Sequence, residues 1–167
     1  MSFFWLNHLM HQNSFKFKMK LLPIEVEEAS NSEYRRNPEC IEILNVYPGF
    51  YARVGFVKPW VGYFASGDDD EIIGCGGFKG RPVNGKVEIA YGTFKSYQGR
   101  GVATEICRQL VVLAIQTDPS TRITARTLME PNASTRVLKK NGFEFIGIVY
   151  DEEDGNVWEW EFKKTDA

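Results

Sequence analysis

The sequence has little of what marks a secreted, metal-binding or membrane-embedded protein. Its three cysteines, Cys40, Cys75 and Cys107, are odd in number, widely spaced and form no C-x-x-C pair. That pattern argues against a disulfide framework and fits buried thiols in a reducing compartment. Its two histidines, His8 and His11, stand three apart with no cysteine or acid beside them to complete a tetrahedral set, so no metal is expected. The apolar patch Phe3-Phe4-Trp5-Leu6 is too short for a bilayer span, follows no basic region and runs into Asn7 and His8. Neither a transmembrane segment nor a secretory signal is expected, and the expected location is cytoplasmic. An excess of one charge is also missing: 20 Lys and Arg stand against 22 Asp and Glu, a net charge of −2. The chain therefore has no global attraction for nucleic acid or an anionic membrane, and an anionic ligand must be held by local geometry.

What is present is core material. Of 167 residues, 43% are hydrophobic and 14% aromatic, enough for one domain that buries about 70% of its unfolded surface. No repeat or low-complexity linker interrupts the chain. Residues 1–60 are the least regular. Phe15-Lys16-Phe17-Lys18-Met19-Lys20-Leu21 alternates apolar and basic residues as a half-buried strand does, and a helix is expected from Pro38 to about Tyr47. Trp60 to Ala65 and Ile72 to Phe78 read as strands joined by the turn Gly67-Asp68-Asp69-Asp70. Asn84-Gly85 supplies a type I′ turn into the strand Val87 to Tyr91. Together they make a three-stranded antiparallel meander.

The hydrophobic period then changes from 2 to 3.6. Val102 to about Gln116 is expected to be a mostly buried helix with a narrow polar face of Glu105, Arg108, Gln109 and Gln116. Arg122 to Leu128 reads as the next strand, so a right-handed crossover to a parallel neighbour follows. A shorter helix is capped by Asn132 and ends with Lys139, Lys140 and Gly142. The chain closes with a hairpin of Glu144 to Tyr150 and Val157 to Phe162, the second strand alternating Trp158, Trp160 and Phe162 with Glu159 and Glu161. The fold class is a mixed α/β sheet.

The chemistry concentrates in Tyr91-Gly92-Thr93-Phe94-Lys95-Ser96-Tyr97-Gln98-Gly99-Arg100-Gly101-Val102-Ala103-Thr104, where a strand ends, a glycine loop turns and a long helix begins. Glycines allow close backbone approach, and the first amides of a helix have no internal acceptor, so they suit phosphate oxygens. The glycines also serve a tight turn with no ligand at all. As a dinucleotide fingerprint, G-x-G-x-x-G/A, the loop has Thr104 at the third small position and Glu130 as the acid beyond the next strand. An antiparallel meander before the loop, and no further βα units after it, disfavour that reading. The pattern Q/R-x-x-G-x-G/A is met at every position by Gln98-Gly99-Arg100-Gly101-Val102-Ala103.

With the strand before it and the segment Asn132-Ala133-Ser134-Thr135-Arg136-Val137-Leu138-Lys139-Lys140-Asn141-Gly142-Phe143 after it, the chain resembles the GNAT superfamily of N-acetyltransferases, particularly its RimJ/RimL-like branch. The resemblance covers about Ile72 to Gly147. It implies a GNAT-like fold: an antiparallel meander joined to a parallel βα unit, with splayed central strands and a C-terminal hairpin. One domain over 1–167 then divides into substrate-side elements (1–60), a cofactor-binding core (61–147) and a closing hairpin strand (148–167). The resemblance further implies that acetyl-CoA lies between the strands ending near Thr93 and Leu128. Tyr91, Gly92 and Thr93 would run along the pantetheine arm. Gln98, Gly99, Arg100, Gly101, Val102, Ala103 and Thr104 would cradle the pyrophosphate, and Asn132 would contact the pantetheine or a bridging water. No metal takes part.

Acetyl transfer to an amine needs a base for the amine proton, a donor for the oxyanion of the tetrahedral intermediate and a proton for the departing thiolate. By resemblance Glu88 is the base, with Glu130 as a second candidate. The tyrosine that many relatives place six residues after Asn132 is replaced by Leu138, so Ser134 inherits the role of acid. Each has a structural alternative: a solvated or hydrogen-bonded Glu88, a first-turn Ser134, a purely capping Asn132. Tyr47, Phe50, Tyr51, Phe56, Trp60, Tyr63 and Phe64 either line an acceptor pocket or fill the core. The expected partners are acetyl-CoA and a primary amine, either a peptide N-terminus or a small molecule, with a homodimer as the open alternative to a monomer. Against the enzyme stand a non-catalytic acyl-CoA-binding module, suggested by Leu138, and a nucleotide-binding oxidoreductase domain, suggested by Gly99-Arg100-Gly101.

Overall fold

Alternating burial and turn chemistry build a seven-stranded mixed sheet in the computed structural model, which describes residues 18–165. The strands are β1 (Lys20–Pro23), β2 (Gly62–Ser66), β3 (Ile72–Phe78), β4 (Lys86–Thr93), β5 (Arg122–Thr127), β6 (Phe143–Asp151) and β7 (Gly155–Phe162), in the spatial order β1-β2-β3-β4-β5-β7-β6. The helices are α1 (Pro38–Val54), α2 (Val102–Thr117) and α3 (Ala133–Lys140). β4 and β5 pair in parallel and every other neighbouring pair of strands is antiparallel. The expected meander, crossover and closing hairpin are all present.

β3 is rich in glycine because α2 lies directly on it. A Cβ on Gly76 would stand 2.7 Å from Ile106 Cγ2 and 3.0 Å from the Ala90 carbonyl oxygen, and one on Gly74 would stand 2.6 Å from the Gly92 carbonyl oxygen. Ile106, Leu110, Val111 and Ala114 of α2 are fully buried. The polar face expected on α2 is real but not wholly solvated. Glu105 is buried, and its carboxylate accepts bonds from Arg108 (2.8 and 2.6 Å) and Gln109 (2.9 Å), which makes its burial tolerable.

Several strand ends shift by one or two residues from the sequence expectation, with β2 starting at Gly62 and not Trp60 and β7 at Gly155 and not Val157, and three differences in the first third are larger. The first strand begins at Lys20, and Phe15 to Phe17, like His8, His11 and the Phe3–Leu6 patch, lie outside the described residues. Glu28–Arg36 forms a 3-10 helix where none was expected. α1 runs through Pro48 to Val54 instead of stopping near Tyr47. An interior proline costs about 3 kcal/mol. Packing offsets it: Tyr51 is buried, donates its hydroxyl to the Ile24 carbonyl (2.8 Å) and accepts from the Gly62 amide (3.1 Å). These bonds anchor the second half of α1 to β2. Asn37 caps the helix start by accepting from the Glu39 amide.

Candidate active site

The parallel pairing of β4 and β5 runs only from Lys86–Arg122 to Ile89–Ala125. Beyond Ile89 the strands part, while β4 stays paired to β3 as far as Thr93. On the side facing β5, the backbone from Ala90 to Thr93 has no strand partner and must find another. The opening is a groove of about 490 Å³ lined by Tyr91, Gly92 and Thr93 from β4, Gln98, Gly99 and Gly101 to Thr104 from the loop and α2, and Ser134, Arg136 and Lys140 among the α3 residues. A strand end, a helix N-terminus and a second helix thus meet on one cavity.

The loop adopts the conformation its glycines allow. Gly99 (φ 75°) and Gly101 (φ 80°) are both left-handed, and a Cβ on Gly99 would meet nothing within 4 Å. Gly101 is the N-cap of α2 with no side chain to satisfy the first amides, and the first helical bond closes from the Glu105 amide to the Gly101 carbonyl. The amides of Val102, Ala103 and Thr104 are left to a ligand at the positive end of a 16-residue helix. This cradle fits a pyrophosphate, and the unpaired β4 edge fits an amide-bearing arm.

Ten of the thirteen residues assigned from sequence line the groove: Tyr91, Gly92, Thr93, Gln98, Gly99, Gly101, Val102, Ala103, Thr104 and Ser134. Arg100 does not; its guanidinium sits 5.5 Å over the ring of Tyr97. Asn132 is engaged in a reciprocal capping box with Thr135 at the start of α3. Glu88 faces a separate cavity, with Lys79, Arg81, Lys86 and Arg122 on its walls. Its carboxylate meets Lys79 Nζ at 2.6 Å and Arg126 Nε at 3.2 Å. Arg126 also binds Asp151 at 2.9 Å and lies 3.6 Å from Glu159, so Glu88 belongs to an ionic network joining β4, β5, β6 and β7. Glu130 is exposed beyond β5 and lines none of these cavities, and Leu138 is fully buried in the core.

A second chamber takes two of the early aromatics expected either at an acceptor pocket or in the core, and adds walls from β3 and β4 that the spacing of the sequence does not announce. A cavity of about 280 Å³ opens between α1 and the β3–β4 face, lined chiefly by Val46, Tyr47, Phe50, Cys75, Phe78 and Lys79. Tyr91 and Gly92 line both it and the groove. Of the early aromatics, Tyr47 and Phe50 line this chamber, Tyr47, Tyr51 and Phe56 line a larger cavity of about 550 Å³ on another face of α1, and Trp60, Tyr63 and Phe64 are core. Phe56 packs edge-on against Tyr51 at 5.1 Å. The Tyr91 phenol donates to the Ser134 carbonyl at 3.2 Å, tying β4 to the first turn of α3, and burial pushes its pKa well above the usual phenol value. Burial likewise pushes the Cys75 thiol up to about 11, so at neutral pH it is protonated and a poor nucleophile. Among the described residues no group of three or more His, Cys, Asp or Glu could hold a metal, and no helix is long and apolar enough to cross a membrane.

Comparison with known proteins agrees with this geometry. Residues 24–144 match the family described as the acetyltransferase (GNAT) domain, and the chain belongs to that family. A Bacillus subtilis (strain 168) relative, the uncharacterized N-acetyltransferase YjdG, is 38% identical over 77 residues, 46% of each chain; the match thus spans about half the length of that relative. Among solved structures, a chimera of the Vibrio cholerae spermidine N-acetyltransferase SpeG superposes with a TM-score of 0.64 at 12% identity, covering 86% of this chain and 94% of that one. The NatC complex bound to Gag peptide and CoA gives 0.61 at 16%, covering 89% and 99%. RimL, a ribosomal L7/L12 α-N-protein acetyltransferase, gives 0.63 at 16%, covering 86% and 91%. These likenesses show the fold.

Proposed function

We propose that this chain catalyses acetyl-CoA-dependent N-acetylation of a primary amine, as a RimJ/RimL-like member of its family acting in the cytoplasm. The observation that carries the reading is the junction at Tyr91 and Gly92, where a phosphate-suited groove on one side of β4 meets a separate chamber on the other. A group carried in the groove can reach a molecule in the chamber only there. Bound acetyl-CoA would supply an acetyl group activated as a thioester. The amides of Val102 to Thr104 hold the pyrophosphate, and the β4 edge from Ala90 to Thr93 binds the arm by backbone hydrogen bonds.

The chain's own groups then move protons. Glu88 takes the amine proton. It lies three residues along β4 from Tyr91, about 10 Å, so the proton travels through water. Lys79, which lines both the chamber and the Glu88 cavity, links the two places. Ser134, on the groove wall, relays a proton from solvent to the departing thiolate and regains its own from water, while Glu88 releases the amine proton to solvent. The protonated Cys75 favours direct transfer over an acyl-cysteine route. Its structural neighbours include a spermidine N-acetyltransferase and an α-N-protein acetyltransferase, and the acceptor proposed for this chain is accordingly a primary amine of either kind.

Thermal shift with acetyl-CoA, CoA and NAD tests the reading. At a hundred times Kd the first two should add about 2.7 kcal/mol, roughly 5–10 °C for a chain of this size, and NAD nothing. Stabilisation by NAD alone would defeat the proposal. CoA release across an amine panel then separates an enzyme from a binding module. Glu88→Gln should lower turnover without changing acetyl-CoA affinity, and unchanged turnover would remove Glu88 from the role of base.

A further inference from the structure

We propose that the chamber beyond Tyr91 and Gly92 selects a primary amine carrying one apolar substituent and no second positive charge, and so rejects polyamines. The proposal rests on the acetyltransferase reading and adds the class of acceptor. Its physical basis is what the walls offer. Val46, Tyr47, Phe50 and Phe78 supply apolar surface, Gly76, Gly77 and Ala90 supply no charge, and no carboxylate lines the cavity among the described residues. The one charged side chain on the wall is Lys79, a cation, and the carboxylate it meets is already taken: Glu88 is bound by Lys79 at 2.6 Å and by Arg126 at 3.2 Å.

A polyamine that places one nitrogen at the Tyr91–Gly92 junction must leave its next ammonium inside this chamber. There it finds no carboxylate on the wall and stands beside the Lys79 cation, and both oppose binding. An apolar substituent gains instead by covering the aromatic and aliphatic walls. At about 280 Å³ the chamber lies just below the range of drug-sized pockets and holds a single compact group more readily than an extended chain.

The experiment measures kcat/KM by CoA release for phenethylamine, for short peptides with a free N-terminus beginning with Leu or Phe, and for putrescine and spermidine. Acetyl-CoA binding is followed in parallel by thermal shift. Phenethylamine or the peptides should exceed both polyamines by about tenfold or more, the discrimination a pocket of this kind supplies. A peptide advantage marks the acceptor as a chain N-terminus, and an advantage of the simple amine marks it as a small molecule. Phe50→Glu places a carboxylate on the wall and should shift the ratio at least about tenfold toward the polyamines. Val46→Asp, at a side chain 65% exposed, makes the same change where folding is little affected. Polyamines equal to or better than the apolar amines overturn the proposal, as do ratios that neither variant moves. Stabilisation by acetyl-CoA with no amine acetylated also overturns it while sparing the cofactor site, and no stabilisation by acetyl-CoA removes the acetyltransferase reading itself.

Discussion

Gly92, opposite Cys75, and Gly76, opposite Tyr91, stand one register step apart in the β3–β4 pair but are glycine for different reasons, and exchanging each for a larger residue separates fold from function. A Cβ on Gly76 would press to 2.7 Å on Ile106 Cγ2 and 3.0 Å on the Ala90 carbonyl oxygen. Overpacking of this kind costs about 1–3 kcal/mol, so Gly76→Ala should lower the melting temperature by roughly 2–12 °C at about 2–4 °C per kcal/mol. A Cβ on Gly92 would meet only Cys75 Sγ, at 3.9 Å, an ordinary contact. Removing a strand glycine gains about 0.5–1 kcal/mol, so Gly92→Ala should melt at or slightly above the parent temperature. Gly92 also lines both the groove and the chamber. The branched side chain of Gly92→Val would stand where the acetyl group passes, and a displacement of about 1 Å there costs on the order of a hundredfold in rate. Differential scanning fluorimetry and CoA release read the two effects on the same samples. A Gly92→Val protein that keeps parental turnover would refute the placement of the transfer point, and a Gly92→Ala protein that melts several degrees lower would refute the packing argument.

Other expectations follow from the same geometry. Arg126→Met removes the cation shared by Glu88, Asp151 and Glu159. Because Arg126 is 29% exposed, the loss should fall below the 3–5 kcal/mol of a fully buried pair, at about 2 kcal/mol by denaturant unfolding; an unchanged midpoint would show the network to be energetically idle. Tyr91→Phe should cost about 1 kcal/mol for the bond to Ser134 and raise hydrogen exchange in the first turn of α3, where unaltered protection would deny the tie. Cys75→Ala should keep turnover within a few-fold, whereas abolished turnover would implicate the thiol in catalysis. Asp151 and Glu161 have pKa values lowered in the folded state. For Asp151 the cause is backbone bonds from Glu153 and the Arg126 contact, and for Glu161 it is the Arg122 bond. Their stabilisation is therefore full above the usual carboxylate range and lost as pH falls through it to the depressed values. Arg122→Met should flatten that acid-side loss in a melting series, and an unchanged slope would remove Glu161 from it.

Much of the architecture was legible because it is set by local chemistry. The strand-like run Ile72–Phe78 coincides with β3, and the alternating run Val157–Phe162 lies within β7, which begins two residues earlier at Gly155. Asn84 and Gly85 take the positive φ values that a type I′ turn demands. Asn132 caps α3, and Gly142 follows it at φ 80°. Gly99 and Gly101 announce a left-handed turn before an uncapped helix, and that turn forms the cradle. α1 was read too short because proline argues locally for a stop, while the bonds that carry the helix past Pro48 come from Ile24 and Gly62 on distant segments.

The sequence by itself determined most strand and helix positions after residue 60, the glycine loop and most residues of the phosphate-suited groove, since spacing, turn conformation and capping depend on neighbours along the chain. Only the tertiary structure decided what those residues face. The partners of Glu88 are Lys79 on the loop after β3 and Arg126 on β5, and Arg126 draws in Asp151 and Glu159 from the closing hairpin. The chamber joins Val46, Tyr47 and Phe50 of α1 to Cys75 and Phe78 of β3. Register and packing across strands remote in sequence set these juxtapositions, and a hydrophobic period specifies which side of a strand is buried but not which partner lies opposite.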